Sequence, residues 1–464
     1  MNRFRIFIIL GILLGTVSCS KEFLGADLQT TKKFEDGIKT ATDLHNLVKG
    51  VYNRMNESDY YGRNFLMYGE VRSDNAWNDE GTGRFVDQSR FDMISNDADA
   101  RDTWSLMYRC IQLCNVVIND VNAEGDADEI KYYKGQAYAL RALVYFDLNR
   151  LYGQKYVGAT SPLGVPIVTE FSNTASVAGP SRSTWAQVNT QIEADFNAAL
   201  ANMGSNDYSD GKYEITKDAV TALLGRHYLY TGQNVLAATT LKPLIISNNY
   251  KLIGHALYAG SWALDETQES IFEFAYTDVD YHGTTSYTYM WEKDGYKDVF
   301  GTVDLITSFD NTDVRMPFTG IYSGIKTVGL VKFPFSVKSH NIRIVHIGEV
   351  YMNYIEACVK SGTDLGDALT YANKLRNARH SVAPTAWTAA DLTLANVLAE
   401  RRLELATEGH RYWDLVRNGL GINHYDSNGN VSDFIAYPSN KFAFPIPEAE
   451  MDANPNLVNQ NPGY

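Results

Sequence analysis

The feature that most constrains the fold is a helical apolar period that returns throughout the chain. Leu44, Leu47, Val48, Val51, Tyr52 and Met55 recur at steps of three and four, the spacing that keeps side chains on one face of an α-helix. Trp104, Met107, Tyr108, Ile111, Cys114 and Ile118 repeat it, as do Trp185, Val188, Ile192, Phe196, Leu200 and Met203. Ala137, Leu140, Val144, Leu148 and Leu151 predict another helix, closed by Gly153, where a left-handed residue is expected. Two segments read as copies of one helix–turn–helix unit: ALLGRHYLYTGQNVLAATTLKPLI from Ala222 and NYIEACVKSGTDLGDALTYANKLRNAR from Asn353. In each, a helix ends at a glycine, Gly232 or Gly362, and a second begins with small residues on its inner face. Ala237 with Leu241, and Ala368 with Leu375, let the paired helices approach closely, the physical logic of tetratricopeptide repeats. The predicted fold class is therefore mainly α: tetratricopeptide-like helix pairs forming a solenoid scaffold, with long loop-rich insertions and a few short β-strands.

The two units are not contiguous, so insertions must interrupt the stack, and composition locates them. Residues 57–103 are rich in Gly, Asn, Asp and aromatics, and 153–183 in Gly, Pro, Ser and Thr. Residues 254–345 mix Tyr and Gly with β-like runs such as GLVKFPFSV and NIRIVHI. Loops of this length in a compact protein are usually functional or disordered, and their aromatic content argues for function.

The amino end addresses the chain. Arg3 and Arg5 precede an apolar run from Ile6 to Leu14, and small residues then lead into Cys19. This order is that of a secretory signal, and the apolar run is too short to span a bilayer, which needs about 20 residues. Thr16-Val17-Ser18-Cys19 resembles a bacterial lipobox, departing from it at Thr16. Cys19 is the expected lipidation site, with acyl chains as the only membrane anchor. The expected organisation is a signal peptide over 1–18, a lipidated tether over 19–36, and one helical domain over 37–464. Cys110, Cys114 and Cys358 are an odd number, and Cys110 and Cys114 share an apolar helical face, so burial as small core side chains is expected.

The formal charge of −14 carries no clustered basic patch, which argues against nucleic acid as a partner and against electrostatic docking on anionic lipid. No G-x-S-x-G, H-E-x-x-H, Walker A or G-x-G-x-x-G motif is present. Asp97, Asp99 and Asp102 do not complete a calcium loop. No catalytic residue, cofactor or metal is expected.

Two loop segments are candidates for ligand contact. GEVRSDNAWNDEGTGRF, from Gly69 to Phe85, offers Asp74, Asn75, Trp77 and Asn78 within five residues. A sugar presents apolar C–H faces and a rim of hydroxyls, so its site needs an aromatic platform with amides or carboxylates beside it. The alternative is that Trp77 packs inward and the polar residues make turns. YHGTTSYTYMWEKDGYKD, from Tyr281 to Asp298, offers Tyr289, Trp291 and Tyr296. Alternation at Tyr287, Tyr289 and Trp291 would put these three on one face of an extended segment, exposed or packed. Arg84 and Arg72 could donate to hydroxyls or to a peptide carboxylate. Glu400, Arg401, Arg402, Glu404, Glu408, His410, Arg411, Asp414 and Arg417 form the densest charged cluster, expected on one amphipathic helix as ties to its neighbours.

Several stretches carry a resemblance. FAFPIPEAEMDANPNLVNQNPGY (442–464), ERRLELATEGHRYWDLVRNG from Glu400, LRALVYFDLNRLYG from Leu140, and the Cys-Ser-Lys-Glu-Phe-Leu start resemble the SusD/RagB family of Bacteroidetes outer-membrane lipoproteins. The match runs in order from Cys19 to Tyr464. The resemblance implies a tetratricopeptide-like scaffold with a loop-rich face, at the outer membrane and facing the extracellular side. It also implies a SusC-type TonB-dependent transporter as partner and an oligosaccharide, or in some members a peptide, as ligand. A secreted glycosidase is the less favoured reading.

Overall fold

The computed structural model describes residues 37–81, 83–171, 179–277, 279–335 and 340–464. The expected signal peptide, Cys19 and the expected tether therefore lie outside the described residues. The first helix among the described residues, α1 (Ala41–Met55), opens with a capping box: the Thr40 side chain accepts from the Asp43 N–H while the Asp43 carboxylate accepts from the Thr40 N–H. Its buried stripe is the predicted one, Leu44, Val48, Val51, Tyr52 and Met55. After α2 (Asn64–Val71), β1 (Ala76–Asn78) and the short α3 (Val86–Arg90) come α4 (Ala98–Asn119), α5 (Ala127–Tyr152) and α6 (Trp185–Asn202). Helix α1 packs on both α4 and α5, and α5 packs on α6. From Leu140 to Tyr152 every residue of α5 is buried, as a helix enclosed on all sides must be.

The two predicted repeats are α7 (Lys217–Tyr230) with α8 (Asn234–Ile246), and α11 (Ile347–Ser361) with α12 (Leu365–Arg379). Both turns use a left-handed glycine, Gly232 at φ 79° and Gly362 at φ 71°. Ala237, Leu241, Ala368 and Leu375 are fully buried. A Cβ at Gly225 would collide with Leu241, so the first pair is as close as a glycine contact allows. Helix α8 also packs on α11, which stacks one hairpin on the other. The solenoid continues through α13 (Leu394–Glu404), which packs on α11.

The first and third insertions contribute α9 (His255–Ser261), α10 (Val303–Thr307) and strands in antiparallel pairs. Strand β1 pairs with β3 (Val299–Gly301), β2 (Ser270–Phe274) with β6 (Ile342–His346), and β4 (Phe318–Ser323) with β5 (Lys326–Leu330). The β2–β6 pair clamps the two ends of the 254–345 insertion, and β6 runs directly into α11. The chain ends with α14 (Arg411–Arg417), a β7 (Ile422–Tyr425)–β8 (Val431–Ile435) hairpin and α15 (Glu448–Ala453). Cys110, Cys114 and Cys358 are unpaired and buried, as expected.

Two expectations need correction. Gly153 is not left-handed; its φ of −80° is extended. It is needed for space, because a Cβ there would collide with the Asn149 carbonyl oxygen. The charged cluster is not on one helix but on α13 and α14, separated by a turn in which Thr407 (φ 65°) and Gly409 (φ 76°) are left-handed. Gly69 of α2 lies directly on Gly409, with no room for a Cβ at either position.

Around that turn, buried charges meet in pairs. Arg379 contacts Glu404 at 2.8 Å and Glu269 at 2.9 Å, and Arg315 contacts Asp313 at 2.7 Å and Glu400 at 2.6 Å. Arg226 forks onto Glu349, and Arg401 reaches Asp414 at 2.7 Å. Burial opposes ionisation of Glu404, but Arg379 and then Arg315 hold its carboxyl down at about 2. These groups tie α7, α11, α12, α13 and α14 to the β2–β6 clamp.

Candidate functional site

The β1–β3 pairing carries the first candidate loop onto the second. Trp77 lies across from Phe300, with ring centroids 4.9 Å apart. This register turns Trp77 inward, and its side chain is 3 % exposed. Trp291, 2 % exposed, packs between Tyr287 and Phe318 at 5.9 and 5.8 Å. Both indoles are core residues, which corrects the expectation that either forms an exposed platform. The 287–291 stretch is not extended but includes a 3₁₀ turn over Thr288–Met290, so the alternation that suggested one shared face does not apply.

The polar residues of the first loop are spent on internal partners. Asn75, 1 % exposed, donates to Glu70 at 3.3 Å and accepts from Arg402 Nε at 2.7 Å. Asp74 receives a two-pronged contact from Arg411 at 2.7 and 2.8 Å. Burial works against the Asp74 charge, yet Arg411 and Arg402 lower its pKa below the ordinary value. Asn78 braces the turn, donating to the Arg84 carbonyl at 2.7 Å and accepting from the Glu80 N–H at 2.7 Å. Arg72 is fully buried among Phe91, Tyr412 and Phe444, within 4.9 Å of each ring centroid, and donates to the Lys441 carbonyl at 2.7 Å. Asp74, Asn75 and Arg72 are thus structural, correcting their assignment to ligand contact. Glu70, behind them, accepts from the Gly409 N–H at 2.8 Å, and burial pushes its carboxyl up to about 7.

Three of the predicted residues do meet at the surface. Arg84 lies flat on Tyr296 with its guanidinium carbon 3.5 Å from the ring centroid, and its side chain is 39 % exposed. Tyr296 meets Tyr289 edge to face at 5.0 Å. Tyr289 in turn lies 5.7 Å from Phe335, which is 36 % exposed. Phe335 also lines a small, open cleft together with Tyr276, Tyr281, His282, Tyr287, Phe333 and His340. The floor of this cleft includes Gly62, where a Cβ would collide with the Asn56 carbonyl and His282. Tyr276 is anchored by its hydroxyl, which donates to the Asn56 carbonyl at 3.1 Å. The result is a continuous run of rings from Arg84 and Tyr296, across Tyr289 and Phe335, into the cleft. Half-exposed rings with polar edges are suited to holding a flat, hydroxyl-bearing molecule.

Comparison with known proteins agrees with this architecture. A family described as "Starch-binding associating with outer membrane" matches residues 22–229, and the SusD family matches residues 334–464. A solved SusD superfamily protein from Bacteroides vulgatus is 30% identical, with a TM-score of 0.84 over 92% of this chain and 100% of its own. Another, from Bacteroides thetaiotaomicron, is 29% identical with a TM-score of 0.84 over 91% of this chain and 100% of its own. SusD-like protein P38 of Formosa agariphila is 24% identical over 93% of this chain and 94% of its own length. The chain belongs to the SusD/RagB family.

In this SusD-family chain, the sequence does not single out Tyr276, Phe333 or Phe335, and Tyr281 and His282 stand only as the opening residues of the second candidate segment. Their signal was present as aromatic density in FEFAYTDVDYH and VKFPFS, inside the 254–345 insertion. What hid them was distance along the chain: the β2–β6 clamp brings together rings about 60 positions apart.

Proposed function

We propose that this SusD-family protein is a surface-exposed, lipid-anchored lipoprotein that binds oligosaccharide and delivers it to a SusC-type TonB-dependent outer-membrane transporter. The observation that carries the reading is the half-exposed run Arg84–Tyr296–Tyr289–Phe335 leading into an aromatic cleft. Rings take the apolar faces of sugars, and Arg84 donates to hydroxyls at the edge. The family description as starch-binding and associated with the outer membrane supports both the ligand class and the location. Cys19 would carry the acyl chains, and the extracellular face would present the rings. Ligand contact is assigned to Arg84, Tyr289 and Tyr296, with Phe335 added, while Asn78 shapes the loop beneath Arg84.

The reading is of binding without bond cleavage. Asp74 is paired with Arg411, Glu70 is fully buried, and neither lines the cleft, so neither is placed to act there as a general acid or base. The test is a panel of oligosaccharides and peptide digests offered to the detergent-purified protein, with bound material recovered and weighed by mass spectrometry. Intact oligosaccharide on the protein, and a co-purifying barrel transporter, support the proposal. Selective peptide retention, or recovery of shortened sugar, contradicts it.

A further inference from the structure

Arginine keeps its charge under all ordinary conditions, so what a ligand meets at Arg84 is set by the groups beside it. One of those groups is Asp298. Its Oδ2 lies 3.6 Å from Arg84 Nη1, with the Asp298 side chain 2% exposed against 39% for Arg84. The aspartate is held where it is. Its N–H donates to the Met290 carbonyl at 3.1 Å and its carbonyl accepts from the Asp79 N–H at 2.9 Å, which pins the backbone where the two candidate loops meet. An exposed ion pair is worth little and parts for a competing anion. A buried carboxylate on a fixed backbone stays in place and repels one.

The charge around this pair is balanced in the same way. Residues 292–298 carry three acids against two lysines, and Arg84 brings the group to formal neutrality. Lys326 is matched by Asp79 at 2.6 Å, and Arg90 Nε by Glu80 at 2.7 Å. Among the described residues, no lysine, arginine, aspartate or glutamate lines the cleft, and its His282 lies against the Asn56 carbonyl. The formal charge of −14 on the whole chain adds a field that disfavours anions.

We propose that Asp298 is a positioning residue that sets the charge of the ligand: by masking Arg84 it makes the run of rings select neutral oligosaccharides over carboxylated or sulfated ones. The inference rests on the reading of that run as an oligosaccharide site. Arg84 then works through the N–H groups turned away from Asp298, as a donor to hydroxyls, and its stack on Tyr296 keeps those groups at the rim of the ring. A fixed group that repels the wrong ligand gives specificity without any further contact to the right one.

The test is an array of neutral oligosaccharides and their carboxylated and sulfated counterparts, probed with the detergent-purified full chain and its variants. The wild-type protein should hold neutral members about tenfold more tightly than their anionic counterparts. Asp298→Asn, which keeps the shape of the side chain, should move the ratio of the two affinities about tenfold toward the anionic members. Adding Arg84→Gln to that variant should abolish the move. A merely structural aspartate would weaken both classes together and leave the ratio unchanged, and that result overturns the proposal. Equal or tighter wild-type binding of anionic members overturns it as well, and this comparison decides the matter without any variant should Asp298→Asn not fold. An array that retains no oligosaccharide at all sinks the reading of the run itself, whereas retention of anionic members sinks only the role given to Asp298.

Discussion

Arg150 and Arg84 both lie on aromatic rings, in two regions that use the same chemistry for different ends. Arg150 sits in the helical scaffold, paired with Asp147 and stacked on Phe146 and Trp413 at 4.2 and 5.0 Å, with a side chain 6% exposed. Arg84 sits on the loop face, stacked on Tyr296 and 39% exposed. In the scaffold such buried charges are desolvated and paired, so removing one partner is costly. On the loop face the rings keep one side in water, so contact area remains for a ligand. Carboxylates follow the same division: arginines hold Glu404 at about 2, while Glu70, facing a backbone N–H and an amide behind the loop face, rises to about 7.

The largest expected effects come from treating a scaffold residue as though it belonged to the binding face. Trp291→Ala should cost about 3–5 kcal/mol of stability through the cavity it leaves, read as a fall in the denaturation midpoint. A soluble variant of wild-type stability would mean that the indole is not packed as described. Glu404→Gln removes a carboxylate shared by Arg379 and Arg315 while leaving Glu269 on the first and Asp313 and Glu400 on the second, and should cost about 1.5–3 kcal/mol, measured by chemical denaturation at neutral pH.

Smaller effects separate the two carboxylates by pH. The folded pKa of Glu70 lies above its ordinary value of 4.5, so its contribution is complete below about pH 4.5 and is lost as pH rises through about 7. Glu404 has a lowered folded pKa, so its contribution is present above about pH 4.5 and is lost as pH falls through about 2. Glu70→Gln should therefore flatten the stability profile between pH 5 and 8 by about 1–3 kcal/mol and leave the acid limb unchanged. A profile with the wild-type slope in that window would show that Glu70 ionises normally. The smallest change in stability, within about 1 kcal/mol, is expected for Tyr296→Ala on the half-buried loop face, although glycan affinity should fall about tenfold.

The helices were legible in the sequence because burial repeats with the helical period. The α1 stripe and the paired turns at Gly232 and Gly362 needed no knowledge of distant neighbours. The site was legible only in part. The structure brings Arg84, Tyr289 and Tyr296, named from two separate loops, together at the surface, whereas Trp77 and Trp291 are buried. Which side of a three-residue strand faces the core depends on the pairing of Trp77 with Phe300, more than 200 positions away, and local composition is silent on that. Asp74 and Asn75 look like ligand donors until α13 and α14 bring Arg402 and Arg411 against them. The break between those helices was hidden as well, because Thr407 is an unusual residue for a left-handed position.

The most direct test of the division between scaffold and loop face is titration of the Arg84→Ala/Phe335→Ala double variant with an oligosaccharide that the wild-type protein binds. Affinity should fall by more than tenfold while the thermal midpoint moves by only a few degrees, because both side chains are more than a third exposed. Unchanged affinity in a folded double variant would contradict the account and move the binding surface elsewhere on the molecule.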